Sequence, residues 1–361
     1  MKSNILKTCI VFFILSTTSI MPSVIALNID KNNLVYEYYT YQQMTDLLQD
    51  LQSQTPKIMK LESYGKTHEG RDIWFVKISD NVEIDEESEP GVLLLGAHHG
   101  DEKISFELLI FFVKYVMENY DKDDRVKNAV DNTQIFIIPM INPDGVEANQ
   151  RKNCNPDSEH GVNTNRNFGY DWEYYEIAPD VFNYEWATSP TNWNYRGSSP
   201  NSESETQAII RVAESFTINI SLSYHSGAEV AFYPWYHTTQ KTPHEALFIE
   251  IGEEMEQISG YSLWTGSKPI IPKLGGTLGT SENYLYGEHK ILAYTVESSR
   301  QKSPTNPDTV YDICSKNVEV HLYLCEKAQT IDNNKVLVSK GFLKPFPRVL
   351  SLLHKILLQL F

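Results

Sequence analysis

Residues 91–112 read GVLLLGAHHGDEKISFELLIFF. GVLLLGA (91–97) is a continuous apolar run of strand length, and KISFELLIFFVKYVMENY (103–120) carries apolar residues at helical spacing. A buried strand feeding a helix belongs to a sheet covered by helices. His98, His99, Asp101 and Glu102 lie between the two elements. Polar residues at such a junction are ordinarily loop, so their meaning depends on what the other strand ends carry.

The alternation continues along the chain. A short amphipathic helix is expected over 38–54, and RDIWFVKIS (71–79) alternates as a strand. TQIFIIPMI (133–141) reads as a buried strand, SETQAIIRVAESF (204–216) as a helix and INISLSY (218–224) as a strand. PHEALFIEIGEEMEQIS (243–259) is helical, ILAYTVE (291–297) strand-like, and SKNVEVHLYLCEKAQTI (315–331) closes as a helix. This pattern predicts an α/β fold: a mixed, mostly parallel central sheet with helices on both faces, in one domain over 38–332. Such sheets bind ligands in loops beyond the carboxyl ends of their strands. His99 and Glu102 follow 91–97, Asn142 to Gly145 follow 133–141, His225 follows 218–224, and Glu297 ends 291–297. One acidic or histidine residue at a strand end is commonplace; His, Glu, His and Glu from several ends look like one assembled site. Residues 142–203 are long, polar and aperiodic, as segments lining a site often are.

With 41% hydrophobic and 12% aromatic residues, the 361-residue chain can close a substantial core. Residues 1–26 place Lys2 and Lys7 ahead of CIVFFILSTTSIM and end in Val24-Ile25-Ala26, which suits a cleaved signal peptide and a secreted protein. A single N-terminal anchor is the alternative, but the apolar run is short and broken by Ser16 to Ser19. Residues 27–37 are expected to form a short N-terminal segment ahead of the domain. The mature chain carries 29 basic against 47 acidic residues, which argues against a nucleic-acid partner. Cys154, Cys314 and Cys325 allow at most one disulfide. Residues 333–361 are locally basic and end in RVLSLLHKILLQLF, an amphipathic helix too short to span a bilayer. Docking on its own domain, lying on a membrane surface and self-association are its three readings.

Catalytic zinc takes three protein ligands from His and carboxylate and keeps one position open. His99 and Glu102 can turn to one ion, and His225 from a later strand would complete the set. His98 competes, although strand alternation points it away from its neighbour. The more specific signal is an ordered series: HHGDE (98–102), NPDG (142–145), RKN (151–153), GVNTNRNFGYDW (161–172), PNSESETQA (200–208), SYHSGAEVAFYPW (223–235) and YGEHKILAYTVE (286–297).

In order and approximate spacing these blocks, over roughly 38–330, make the chain resemble the zinc metallocarboxypeptidases of the carboxypeptidase A and T type. The resemblance implies one zinc per chain bound by His99, Glu102 and His225, with Glu297 as general base and acid. It also implies that Asn165 and Arg166 grip the terminal carboxylate of a peptide or protein. The chemistry agrees. A zinc-held water is acidified toward neutrality, and a carboxylate across the cleft can take its proton and pass it to the leaving amine. An arginine fork flanked by amides suits a carboxylate. On its own, Glu297 could equally be a solvent-facing strand-end glutamate.

The chain also departs from that family. Asp101 stands where the digestive enzymes carry arginine. Asn163 replaces the aspartate that orients the first zinc histidine. Cys154 occupies the place of the arginine that polarises the scissile carbonyl, and Arg151 is the candidate substitute. The segment 270–283 lacks the family's mobile tyrosine. Glu282 falls at the side-chain pocket position, which would favour C-terminal Lys or Arg; Leu278 is the apolar alternative. The expected function is a secreted zinc carboxypeptidase. A weakened relative that binds zinc and peptide ends, and a deacylase or cell-wall peptidase, are the alternatives.

Overall fold

The computed structural model describes residues 35–173, 184–266 and 277–331. The expected signal peptide, most of the N-terminal segment and the C-terminal tail therefore lie outside the described residues. Among the described residues no helix is long and apolar enough to cross a membrane.

Eight strands form one sheet: β1 (Met59–Lys66), β2 (Asp72–Ile78), β3 (Gly91–Leu95), β4 (Gln134–Ile138), β5 (Ile220–His225), β6 (Ala228–Tyr233), β7 (Ser262–Thr265) and β8 (Leu292–Ser299). Their spatial order is β1-β2-β4-β3-β5-β8-β6-β7. The central run β4-β3-β5-β8 is parallel, as is β6-β7, whereas β1-β2, β2-β4 and β6-β8 are antiparallel. The sheet is mixed, with the parallel run β4-β3-β5-β8 in its middle.

Alternation within the buried strands feeds two cores. Val92 and Leu94 of β3 and Ile135 and Ile137 of β4 join one apolar cluster; Leu93, Leu95, Phe136 and Ile138 join the other. The first cluster is closed by α1 (Tyr41–Gln54), α2 (Ile104–Asn119), α3 (Asp124–Asp131), α7 (Glu245–Ser259) and α9 (Pro307–Ala328). The second is closed largely by α6 (Ser204–Ser215). Shorter helices are α4 (Pro143–Glu147), α5 (Tyr184–Thr188) and α8 (Ser281–His289). Helices on both faces explain why β3 and β4 read as continuous apolar runs rather than alternating ones.

Some boundaries differ from expectation for local reasons. α1 starts at Tyr41 because Thr40 and Gln43 form a reciprocal capping box. The last helix begins at Pro307, earlier than expected: Asn306 caps it by accepting from Thr309 N, and proline fits the first turn. β1, β6 and β7 were not anticipated; β1 and β7 are mostly half-buried at the two sheet edges and lack an apolar run. Cys154, Cys314 and Cys325 are all free thiols.

Candidate active site

Because β3, β4, β5 and β8 run parallel, their carboxyl ends open onto one edge of the sheet. Past β3 the chain turns at Ala97, whose φ of 52° lies in the left-handed region. Gly100 then crosses Gly145 of α4 so closely that a Cβ on Gly100 would stand 2.0 Å from the Gly145 carbonyl carbon. The glycines of HHGDE and NPDG are thus one packing event. The turn carries Glu102 back over His99, with Glu102 N donating to His99 O at 3.2 Å.

Three buried side chains converge there. His99 Nδ1 is 2.9 Å from Glu102 Oε1, His225 Nδ1 is 2.9 Å from Glu102 Oε2, and the two Nδ1 atoms are 3.0 Å apart. On the other side of the first ring, His99 Nε2 donates to Asn163 Oδ1 at 3.2 Å. Asn163 Nδ2 donates to Trp193 O and Asn194 Oδ1, which fixes the amide oxygen toward the histidine. With its proton on Nε2, His99 turns the Nδ1 lone pair toward Glu102 and His225. Lone pairs and a carboxylate gathered in a buried space call for a cation, a proton or a metal ion. Two imidazoles and a carboxylate are the donor set of catalytic zinc, so these residues fit that metal. His98 stays out of the set, its Nδ1 3.3 Å from Thr164 Oγ1 and its ring parallel to His225 at 5.7 Å.

The electrostatics follow from burial and crowding. Burial holds the His98 and His99 imidazoles well below their ordinary pKa, as neutral rings. Burial would raise the Glu102 carboxyl, but its electrostatic interactions and hydrogen bonds with His99 and His225 outweigh it and hold it well below the carboxylate range. Burial likewise opposes a charged His225, while the hydrogen bond and charge of Glu102 raise it.

Glu297 pairs in register with His225 across β5 and β8. It lies within β8 rather than at its end, because antiparallel β6 extends the ladder to Ser299. Burial, then the charge of Glu102, push its carboxyl up to about 7 against the pull of His225 and Arg151. Its Oε2 has no hydrogen-bond partner among the described residues.

Arg151 reaches the same cluster, with Nη1 3.0 Å from His99 Nδ1 and 3.1 Å from Glu102 Oε1. Cys154 turns elsewhere. Its Sγ accepts from Gln150 Nε2 at 3.4 Å, and it groups with Glu69 and Asp144. Burial pushes that thiol up to about 11. Asn165 approaches from the His225 side: Nδ2 is 3.1 Å from His225 Nε2, and Oδ1 accepts from Ser281 N at 2.8 Å. Arg166 follows it, with Nη1 donating to Asn165 O at 2.6 Å. Glu282 is buried in the first turn of α8; Oε1 accepts from Ser281 Oγ at 2.8 Å, and Oε2 has no hydrogen-bond partner among the described residues. Leu278 is also fully buried. Of the segment expected to lack a tyrosine, only 277–283 falls within the described residues.

Several supporting residues escaped the sequence reading. Asp144 accepts from Thr67 Oγ1, Glu69 N and Arg71 Nη1, tying the turn between β1 and β2 to the NPDG loop. Glu203 and Glu205 accept from Asn153 Nδ2 at 2.8 and 3.2 Å and so clamp the RKN segment that carries Arg151. The acidic residues of NPDG and PNSESETQA were visible as letters; their partners, across the fold, were not.

The zinc carboxypeptidase family profile matches residues 44–324. The chain belongs to the zinc carboxypeptidase family. A zinc carboxypeptidase of Saccharothrix mutabilis subsp. capreolus is 30% identical over 275 residues, covering 72% of this chain and 61% of that protein. Carboxypeptidase SOL1 of Arabidopsis thaliana is 28% identical, over 78% of this chain and 54% of its own length. The chain thus spans 61% and 54% of these two relatives. Among solved structures, thrombin activatable fibrinolysis inhibitor superposes with a TM-score of 0.71 at 18% identity, over 82% of this chain and 75% of that one. Carboxypeptidase A from Helicoverpa armigera gives 0.69 at 20% identity, over 81% and 74%. These two share the fold.

Proposed function

We propose that this protein is an exported zinc carboxypeptidase that removes single residues from the C-termini of peptides or proteins. The observation that carries the reading is the convergence of His99, Glu102 and His225 with Glu297 in register beside His225. His99, Glu102 and His225 would hold one zinc, which supplies a Lewis acid that acidifies water and polarises a carbonyl. Glu297, raised toward neutrality, receives a proton from the attacking water and returns it to the leaving amine. Arg151 donates to the developing oxyanion in place of the arginine that Cys154 replaces. Asn165 and Arg166 hold the terminal carboxylate on the His225 side, so a chain lacking that carboxylate is not positioned. Glu282, with one carboxylate oxygen unpaired among the described residues, favours Lys or Arg as the released residue.

The basic tail would lie on a membrane surface or join two copies, and no nucleic acid is expected as a partner. Hydrolysis of peptides differing only in their last residue, each with a free and an amidated C-terminus, tests the reading. Release of C-terminal Lys or Arg from the free forms alone supports it. Release of apolar residues instead would transfer the pocket to Leu278. Cleavage indifferent to amidation would favour the deacylase or cell-wall peptidase. Bound zinc with no cleavage would favour the weakened binding relative, for which Asn163 and Cys154 speak.

A further inference from the structure

Trp193 and Trp186 are the two large tryptophans that the described fold leaves open to solvent, 50% and 37% exposed. Exposed indoles are costly to leave wet and, when adjacent, form a surface that recognises flat apolar groups. These two are adjacent, with ring centroids 6.5 Å apart and planes tilted by 51°. Trp193 is tied to the residues that would hold the metal, and Trp186 lies beside it. The guanidinium of Arg151 lies over the Trp193 ring at 4.9 Å while its Nη1 touches His99 and Glu102. The Trp193 carbonyl accepts from Asn163, whose oxygen holds His99 Nε2. Trp193 is therefore one residue removed from the ligand set through both its ring and its backbone.

Direction along the substrate follows from the same contacts. Arg151 approaches the ligand set from His99 and Glu102, whereas Asn165 approaches it from His225. If Asn165 and Arg166 hold the terminal carboxylate, the released residue lies on the His225 side. The residue before the scissile bond then lies on the Arg151 side, where the tryptophans are.

We propose that Trp193 and Trp186 form a platform that selects an aromatic side chain in the residue immediately upstream of the scissile bond, so that this protein discriminates on both sides of the cut. The inference rests on the carboxypeptidase reading of the site. One face of Trp193 is covered by Arg151, which fixes the ring and leaves Trp186 to complete an edge-to-face or offset pair with the substrate ring.

The test compares acetyl-Phe-Lys with acetyl-Gly-Lys on the zinc-loaded full chain and on Trp186→Ala, Trp193→Ala and Trp193→Phe. A preference for phenylalanine of about five- to tenfold in kcat/KM is expected. It should fall toward unity in both alanine variants and persist in Trp193→Phe. Because Arg151 stacks on Trp193 and not on Trp186, loss of the preference in Trp186→Ala is not explained by a displaced arginine. Binding of the same two peptides to the metal-free protein, read by tryptophan fluorescence, is the second measurement. There the phenylalanine peptide should quench more at equal concentration, and Trp186→Ala should abolish the difference. An unchanged preference in the alanine variants, or equal quenching by both peptides, would overturn the platform. Absence of hydrolysis of both Lys peptides by the wild type would sink the basic-residue preference, and absence with acetyl-Phe-Leu as well would sink the carboxypeptidase reading, while the fluorescence result would still decide the platform.

Discussion

Asn163 Oδ1 accepts the Nε2 proton of His99 at 3.2 Å, so a neutral amide and not a carboxylate orients the ring. An amide fixes the ring but adds no charge to the ligand's basicity. Asn163→Asp should therefore tighten zinc binding, and Asn163→Ala should weaken it by about 10- to 100-fold. Competition for zinc against a chromophoric chelator reads both changes. Equal affinity in all three proteins would mean that the contact plays no part in holding the metal.

Arg151 and Cys154 separate two accounts of the oxyanion donor. Arg151 touches His99 and Glu102, and Cys154 does not face them. Arg151→Ala should lower kcat by roughly 100- to 1000-fold with zinc content kept near one per chain, whereas Cys154→Ser should change it by less than about twofold. Steady-state kinetics with metal analysis on each variant checks both. The reverse ranking would return the role to position 154.

Gly100 packs against the backbone of Gly145 and Val146, and a Cβ there would meet their atoms between 2.0 and 2.3 Å away. Neither neighbour is a side-chain end that can swing aside. Gly100→Ala should cost about 3 kcal/mol, lowering the melting temperature by roughly 6 °C, and should reduce zinc retention because the turn between His99 and Glu102 must shift. Calorimetry on the metal-free and zinc-loaded forms separates the two effects.

Glu107 supplies a pH dependence remote from the metal. It is buried in α2, accepting from Tyr36 Oη at 2.6 Å and from Tyr39 N at 3.4 Å, and burial pushes its carboxyl up to about 7. The folded state thus binds a proton that the unfolded chain releases near its ordinary value of 4.5. This group's contribution is present in full below about 4.5 and is lost as pH rises through about 7, a change of roughly 3 kcal/mol. Glu107→Gln should flatten that part of the stability curve. Urea unfolding at pH 5 and pH 8 measures it, and an unchanged difference between the two would refute the assignment.

The elements legible in the sequence were those whose burial is two-sided. GVLLLGA and TQIFIIPMI read as central strands because their apolar runs are unbroken and too short for a buried helix, and the helix after HHGDE carried its own period. β1 and β7, half-buried at the sheet edges, left no such pattern. The three clustered residues were legible because each sat at or beside a strand end, and parallel neighbours bring such ends together. The clamp of Glu203 and Glu205 on Asn153 was not, because it depends on where a long aperiodic segment folds back. Arg151 was named only as a substitute for a missing arginine; its distance to His99 is information that spacing does not contain.

The central claim is that Glu297 acts on a substrate held beside a zinc bound by His99, Glu102 and His225. Glu297→Gln keeps the shape of the side chain and removes its basicity. The most direct test is zinc content and single-residue release measured together on the wild type and this variant. Zinc near one per chain in both, with release falling by about 1000-fold or more in the variant, is the expected result. Equal zinc with undiminished release would contradict the account.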